Sequence, residues 1–306
     1  MNTIKLNNGV EMPHLGLGTY PMMGQQLTDA VITAYKEGYR LIDTADNYYN
    51  EADLGESLQT LYSKTDAKRE EIFLVSKVSD ELYHPNSVGG GANKGLYFWK
   101  SSPAMQHPNA VHEIVTKKIE DTLRFLKTDY LDLYLMHWPY PDYLNEIWFE
   151  MEQIYKSGKV RSIGMCNCRK RHFEKMKPYC EILPMVNQFE TSPINTKVPI
   201  IDYCNANGIK VMVYSPLMSL RRKEMKEYQN ILSALASKYN VSTSQIVLRF
   251  DVQRGLIPIP KSTNALRLHS NISVFDFCLA DEEMNLLYSM NVDYQYLPES
   301  RSCPGL

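Results

Sequence analysis

Short, nearly continuous apolar runs alternate with longer amphipathic stretches along most of this chain. Runs of this kind are typical of strands buried on both faces, as in a parallel sheet covered by helices. We predict strands at residues 15–20, 41–45, 72–78, 131–137, 160–167, 185–190, 210–215 and 256–261. Amphipathic stretches predict a helix after each strand, for example at residues 27–39, 52–62, 110–126, 143–156, 198–207 and 229–239. Eight strand–helix repeats favour an α/β fold of the (β/α)8, or TIM, barrel type over an open sheet.

The length of the chain suits one such barrel. A TIM barrel needs roughly 250 residues, and this chain has 306 with no stretch typical of an interdomain linker. We therefore predict a single domain over residues 1–306. Residues 3–12 predict an N-terminal β-hairpin that covers the N-terminal end of the barrel, with its turn at Asn7-Asn8-Gly9. A long insertion after the third strand, residues 79–108, and a C-terminal tail, residues 291–306, interrupt the repeat.

Charge and composition exclude several classes of protein. Lys and Arg number 33 against 35 Asp and Glu, a formal net charge of −2, which argues against a nucleic-acid partner that is bound through its phosphates. No apolar run approaches the ~18 residues of a membrane span, and the N-terminus lacks the apolar core of a signal peptide. We therefore predict no membrane partner and a cytoplasmic location. Cys166 and Cys168 face no second ligand pair, so reduced thiols are favoured over a zinc site and no metal is predicted.

Four polar residues stand where barrel active sites lie, at the carboxyl ends of strands. Asp43 ends the run 40–43 of the second predicted strand, Lys77 lies near the end of the third, and His137 ends the fourth. Tyr48 follows Asp43 by five residues, in the loop before a helix. A charge inside a buried strand is costly unless it is paired, so we predict an ion pair between Asp43 and Lys77. Each residue alone has a structural alternative: a helix cap, a packing tyrosine, a lysine that reaches solvent, a structural histidine. Their convergence at one end of a barrel favours catalysis.

Six motifs occur in a characteristic order. The first is Asp43-Thr44-Ala45 with Tyr48, Asn50, Glu51 and Leu54-Gly55. The others are LYLMHWP at 133–139, GKVRSIG at 158–164 leading to Asn167, VNQ at 186–188, YSPL at 214–217 and IPKS at 259–262. In these motifs, over nearly its whole length, the chain resembles the aldo-keto reductases.

The resemblance implies an NADPH-dependent oxidoreductase that reduces an aldehyde or ketone to an alcohol by hydride transfer. Its implied catalytic tetrad is Asp43, Tyr48, Lys77 and His137, with Tyr48 as the proton donor. Lys77 is expected to lower the pKa of that phenol, and His137 to orient the carbonyl. The implied partner is a small carbonyl substrate, contacted by Tyr20, Tyr48, His137 and Trp138, and the expected oligomeric state is a monomer.

The same resemblance implies a site for NADPH or NADP⁺. Lys261, Ser262 and Arg267 match contacts to the 2′-phosphate, although a solvated helix start is the alternative for these residues. Asn271 matches an adenine contact, and Tyr214 matches a ring that stacks on nicotinamide. The remaining cofactor contacts implied are Gly18, Thr19, Asp43, Cys166, Asn167, Gln188, Ser215 and Leu217. Gly16-x-Gly18 alone lacks the third glycine of a dinucleotide-binding turn.

The chain departs from the family pattern at several points. Cys166 replaces a serine, Ser79 a tryptophan that lines the pocket, and Met218 a glycine. Residues 79–108 are unusually long, and we hypothesise that Tyr97, Phe98 and Trp99 form part of the pocket wall; a surface flap is the alternative. A second alternative for the whole protein is a cofactor-binding, regulatory subunit with little turnover. The intact tetrad favours the enzyme.

Overall fold

Eight parallel strands form a single sheet in which every neighbouring pair is consecutive in the chain. The structure, a computed structural model, describes residues 2–79, 105–140 and 142–296. The strands of this sheet are β3 (Gly16–Gly18), β4 (Leu41–Asp43), β5 (Phe73–Val78), β6 (Leu133–Met136), β7 (Ile163–Cys166), β8 (Val186–Glu190), β9 (Lys210–Tyr214) and β10 (Ile257–Pro258). Strands β4 to β8 are buried along their whole length, as expected when helices cover the outer face and side chains fill the interior.

The first and last strands of the sheet meet and nearly close the barrel. The Gly18 N–H donates a hydrogen bond of 3.3 Å to the Pro260 carbonyl oxygen. A Cβ at Gly18 would lie 2.8 Å from the carbonyl oxygen of Ile259, so only glycine permits this backbone approach. The predicted (β/α)8 architecture is therefore confirmed.

A separate antiparallel hairpin, β1 (Thr3–Lys5) and β2 (Glu11–Pro13), precedes the barrel. The Asn8 side-chain amide donates to the Arg161 carbonyl oxygen at 2.9 Å, and the Asn7 amide to that of Pro184 at 3.1 Å. Both acceptors lie just before barrel strands, so the hairpin covers the N-terminal end of the barrel, as predicted.

Helices alternate with the strands and pack around them. They are α1 (Gly24–Lys36), α2 (Glu51–Lys64), α3 (Ala110–Leu126), α4 (Leu144–Lys156), α5 (Lys170–Met176), α6 (Val198–Ala206), α7 (Lys226–Tyr239), α8 (Thr243–Gln253), α9 (Ala265–Ile272) and α10 (Asp281–Ser289). Two helices, rather than the predicted one, follow each of β9 and β10. The added helices, α8 and α10, bury Phe250 and Leu287 in a second apolar cluster with Leu232 of α7.

The long insertion falls between β5 and α3, at residues 79–109. Within it, residues 80–104 are outside the described part of the chain, and so are Tyr97, Phe98 and Trp99. Of the C-terminal tail, residues 291–296 are described. None of the described helices has both the length and the apolarity to cross a bilayer.

Candidate active site

The four residues of the predicted tetrad meet at the carboxyl ends of β4, β5 and β6. Asp43 is the last residue of β4, Lys77 is the penultimate residue of β5, and His137 directly follows β6. Tyr48 ends a one-turn 3₁₀ helix, Asp46–Tyr48, that follows β4. Because these strands are parallel neighbours, their carboxyl ends bring side chains distant in sequence to one place.

A buried ion pair organises this cluster. Lys77 Nζ lies 2.6 Å from Asp43 Oδ1, 2.8 Å from the Thr44 carbonyl oxygen and 3.3 Å from the Tyr48 hydroxyl. The second carboxylate oxygen, Asp43 Oδ2, accepts from Gln188 Nε2 at 2.8 Å. The predicted ion pair is therefore present, and Lys77 joins it to the phenol.

Burial and the ion pair have opposing effects on the pKa values in this cluster. Burial has the largest single effect on Lys77 and disfavours its ammonium, but Asp43, with smaller contributions from Tyr48 and Cys166, raises the net pKa of Lys77. Burial also raises the pKa of Tyr48 to about 12, against the opposing effect of the Lys77 cation. Lys77 therefore lowers the pKa of the phenol as expected, but it does not set the net direction of the shift. The cation acts in the predicted sense, but the loss of water around the phenol has the larger effect.

His137 faces Tyr48 as a neutral ring. Their ring centroids are 5.9 Å apart in an edge-to-face arrangement. Burial, with smaller contributions from Lys77 and Lys118, holds the pKa of His137 well below its ordinary value of 6.5. Nδ1 of His137 is buried and has no hydrogen-bond partner among the described residues.

The other two predicted substrate contacts border the same two rings. Tyr20 is 60% exposed and lies 5.0 Å from Tyr48, measured between ring centroids. Trp138 is buried, with its ring stacked at 6.2 Å from that of His137. The structure thus brings all four predicted substrate residues together in one aromatic cluster.

The predicted nicotinamide contacts continue the hydrogen-bond network. The Asn167 backbone N–H donates to the Gln188 carbonyl oxygen at 2.8 Å, and the Tyr214 hydroxyl donates to Asn167 Oδ1 at 2.9 Å. Asn167 Nδ2 donates to the His137 carbonyl oxygen at 3.3 Å. Cys166, at the end of β7, is buried, and burial raises the pKa of its thiol. The side chain at this position is therefore a neutral thiol.

Two of the predicted cofactor contacts lie beside the closure of the barrel. Thr19 is buried, and both its N–H and its hydroxyl donate to the Asp43 carbonyl oxygen, at 3.0 and 2.9 Å. Gly18 bonds to Pro260, the residue before Lys261. Ser215 and Leu217 follow directly on β9, and Ser215 has a left-handed backbone with φ of 52°.

The predicted phosphate contacts surround the start of α9. Lys261 and Arg267 are exposed, and neither makes an ion pair with any described residue. The Asn264 side chain caps the helix by accepting a hydrogen bond from the Arg267 backbone N–H at 3.0 Å. Ser262 and Asn271 are buried. A helix start with two uncommitted cations fits an anionic phosphate.

A polar cluster at Asp46, the first residue of the turn that carries Tyr48, was not predicted from the sequence. Lys118 Nζ of α3 lies 2.7 Å from Asp46 Oδ2, and the N–H and hydroxyl of Ser79 both donate to the Asp46 carboxylate. Nearby, Glu51 accepts from Ser76 at 2.6 Å and from Thr122 at 3.2 Å. A signal was available, because Lys118 and Thr122 fall on the apolar face of α3 at helical spacing.

A family model described as the Aldo/keto reductase family matches residues 13–292. The chain belongs to the aldo-keto reductase family. It is an NADP-dependent oxidoreductase that reduces an aldehyde or ketone to an alcohol. The alternative of a cofactor-binding regulatory subunit is not supported by these comparisons.

Relatives of this reductase extend over its whole fold. It is 37% identical to a glyoxal reductase of Bacillus subtilis over 97% of this chain and 95% of the relative. It is 34% identical to aldo-keto reductase family 1 member A1 of Xenopus tropicalis, over 95% and 89% of the two chains. Among solved structures, the aldose reductase of Schistosoma japonicum superimposes with a TM-score of 0.83 at 30% identity, over 99% and 96% of the chains. A Bombyx mori aldo-keto reductase in complex with NADP gives a TM-score of 0.82 at 30% identity, over 98% and 96%.

Proposed function

We propose that this reductase protonates its carbonyl substrate from Tyr48, with Lys77 and Asp43 supporting the phenol and His137 orienting the carbonyl. The observation that carries the proposal is the position of Lys77 Nζ, within hydrogen-bond distance of both the Asp43 carboxylate and the Tyr48 hydroxyl. Such an arrangement couples a proton donor to a fixed positive charge.

The protonation state of Tyr48 suits a general acid. Since burial raises that pKa to about 12, the phenol keeps its proton near neutral pH and can donate it to the oxygen of a reduced carbonyl. The phenolate left behind lies beside the Lys77 ammonium, which stabilises it. Gln188 and Asp43 keep that ammonium in place.

His137 is a neutral hydrogen-bond donor and not a second acid. Because its pKa is held well below 6.5, the neutral imidazole carries one N–H that can point at the carbonyl oxygen. A neutral donor orients the carbonyl and leaves proton transfer to Tyr48, whose ring it contacts at its edge.

The residues present fit NADPH, which supplies the hydride. Asn167 and Gln188 offer amide groups beside the tetrad for the carboxamide, together with the Tyr214 ring. Lys261, Ser262 and Arg267 would hold the 2′-phosphate at the start of α9, because the two cations have no carboxylate partner among the described residues. Gly18, Thr19, Cys166, Ser215, Leu217 and Asn271 complete the proposed cofactor contacts.

For the substrate, we propose small aldehydes, with glyoxal as the first to test. The similarity to the glyoxal reductase of Bacillus subtilis supports this choice. The aromatic rings of Tyr20 and Trp138 beside Tyr48 and His137 also favour a compact carbonyl compound at this position.

We also propose that the protein acts as a single domain and a monomer in the cytoplasm. One barrel contains the whole proposed site, so no second subunit is needed to complete it. Five cysteines, Cys166, Cys168, Cys180, Cys204 and Cys278, are free thiols, which suits a reducing compartment.

A Tyr48→Phe variant tests the proposed acid. We expect kcat for NADPH-dependent glyoxal reduction to fall by about 10²- to 10⁴-fold, as for loss of a general acid, while NADPH affinity measured by fluorescence titration stays unchanged. Tyr179→Phe, a change at a tyrosine that is 72% exposed outside the site, is the matched control. Equal turnover in Tyr48→Phe and wild type would refute the role of Tyr48. No NADPH oxidation by the wild type with any of a panel of carbonyls would refute the substrate assignment.

A further inference from the structure

We propose that Asp46 is a positioning residue that fixes the turn carrying Tyr48, and that Lys118 and Ser79 hold Asp46 in place. The inference rests on the proposed role of Tyr48 and adds residues that the tetrad does not include.

The turn that carries Tyr48 has little backbone support of its own. It is a single 3₁₀ turn, Asp46–Tyr48, closed by the Tyr48 N–H to Ala45 oxygen bond at 3.1 Å and the Tyr49 N–H to Asp46 oxygen bond at 3.3 Å. Tyr49 then adopts a left-handed backbone with φ of 57°. One turn gains no cooperative stabilisation along a helix, so side-chain contacts must fix its position.

Asp46 supplies those contacts from two directions. Lys118 Nζ, on the buried face of α3, lies 2.7 Å from Asp46 Oδ2. The N–H of Ser79 donates to the same oxygen at 3.2 Å, and the Ser79 hydroxyl donates to Asp46 Oδ1. Both carboxylate oxygens are therefore engaged, by charge-assisted or buried bonds, from a helix and from the end of a strand.

These contacts tie Tyr48 to the strand that carries its cation. Ser79 follows Lys77 by two residues along the segment that leaves β5. Asp46 stands at the other end of the 3₁₀ turn from Tyr48. The Asp46–Ser79 contact therefore joins the Tyr48 turn to the Lys77 strand, and the distance it controls is the 3.3 Å from Lys77 Nζ to the Tyr48 hydroxyl.

The contacts also give a structural reason for the departure at residue 79. Where the resemblance leads one to expect a tryptophan, this chain has a serine that is fully buried. Its short side chain leaves room for Asp46, and its hydroxyl bonds to the carboxylate. Ser79, Asp46 and Lys118 thus form a matched set.

A purely structural explanation is that Asp46 only neutralises the buried Lys118. The two roles differ in a double variant. If Asp46 merely balances a charge, removing both charges in Asp46→Ala/Lys118→Met restores activity. If Asp46 positions Tyr48, the double variant stays as slow as Asp46→Ala.

The experiment measures hydride transfer directly in a single turnover. Enzyme saturated with NADPH is mixed rapidly with glyoxal, and the decay of NADPH absorbance is followed. The amount of NADPH bound gives the folded, active fraction of each variant. Asp121→Asn is the matched control, because that carboxylate also pairs with cations on α3, but its partners Lys117 and Arg124 are exposed whereas Lys118 is buried.

We expect Asp46→Ala to slow hydride transfer by about 10- to 100-fold, the scale of effect of a misplacement near 1 Å. Asp46→Asn keeps the size and one acceptor, so its rate should be intermediate. The double variant should be as slow as Asp46→Ala, and the rate of Asp121→Asn should be unchanged.

An unchanged rate in Asp46→Ala, or recovery in the double variant, would overturn the proposal. If Asp46→Ala does not fold, Ser79→Ala decides, since a several-fold slower rate supports positioning and an unchanged rate contradicts it. A wild type that does not oxidise NADPH refutes the proposed function instead.

Discussion

Lys77 shows how an ammonium can be buried in the interior of a barrel. Its three possible N–H donors have three acceptors, on Asp43, Thr44 and Tyr48. The ion pair alone would not compensate for desolvation, because a buried pair is stable only when its remaining hydrogen-bonding groups are also satisfied. The Tyr48 hydroxyl thus accepts a hydrogen bond from Lys77, in addition to being the group whose proton loss Lys77 favours.

The protonation states at this site predict a flat pH profile for carbonyl reduction. His137 has its pKa well below 6.5 and stays neutral above that value, and Tyr48 has its pKa at about 12 and stays protonated below it. Neither group changes state from about pH 8 to about pH 10, and Glu51, with its pKa at about 7, is already ionised there, so kcat/KM for the aldehyde should be constant in this window. The measurement uses constant ionic strength and checks NADPH saturation at each pH. A titration with its midpoint inside this window would contradict the assigned states.

For individual residues, the sequence predicts which charged side chains pair better than it predicts their pKa values. The Asp43–Lys77 pair follows from two charges in apolar strands, because each needs a partner. The net pKa of Tyr48 does not follow, since it depends on how much water the surrounding side chains exclude. Ser79 illustrates the same limit: its departure from the family pattern is visible in the sequence, but its partner Asp46 is known only once the turn is placed.

Among the elements, α2 is joined to the barrel and to α3 through one buried carboxyl group. Glu51, the first residue of α2, accepts from Ser76 of β5 and from Thr122 of α3. Burial, together with the nearby Asp46 carboxylate, raises the pKa of Glu51 from 4.5 to about 7. The folded protein therefore retains a proton here that the unfolded chain releases at lower pH.

A Glu51→Gln variant should remove a pH dependence of stability. Because the folded pKa of Glu51 is raised, its contribution to stability is largest below about pH 4.5 and is lost as the pH rises through about 7. A shift of this size amounts to about 3 kcal/mol. We measure the free energy of unfolding in urea for both proteins. We expect the value for Glu51→Gln minus the value for wild type to increase as the pH rises from about 4.5 to about 7. Glu56→Gln, at an exposed position of the same helix, is the control, and a pH-independent difference would refute the prediction.

Boundaries of elements were harder to predict than their order. Helix α3 begins and ends as predicted, because its apolar spacing is regular over many turns. The last strand is predicted over 256–261 but pairs as β10 only at Ile257–Pro258, although the Ile259 N–H still donates to the Val213 carbonyl oxygen. Pro258 and Pro260 cannot donate to a neighbouring strand, which limits the regular ladder. Helix α8 was missed despite its start signal, the capping box of Ser242 and Gln245.

At the scale of the whole molecule, the proposed cofactor site joins the two ends of the sheet. Gly18 and Thr19 leave the first barrel strand, while Lys261 and Ser262 leave the last. The Gly18–Pro260 bond places these segments side by side. The first and last motifs are far apart in the chain and become neighbours only if the sheet closes into a barrel. The prediction of the cofactor site therefore depends on the prediction of the barrel.

Arg267→Ala should reduce the discrimination between the two nicotinamide dinucleotides. Loss of a charge-assisted contact of about 1.5–3 kcal/mol predicts a Kd for NADPH that rises by about 10- to 100-fold. The Kd for NADH, which has no 2′-phosphate, should hardly change. Fluorescence titration measures both constants, and the rise of Tm with each dinucleotide gives an independent check. Arg124→Ala, on the exposed side of α3, is the control; an equal loss for both dinucleotides would place Arg267 elsewhere in the site.

The sheet order has a consequence for how the chain assembles. Seven of the pairings in the ring join strands that are consecutive in the chain, so each can form as soon as the next strand has been synthesised. The junction of Gly18 with Pro260 is different, since it requires the two ends of nearly the whole polypeptide and closes by far the longest loop. The ring can therefore close only after the last strand has been synthesised, so the proposed phosphate-binding corner is the last part of the site that can form.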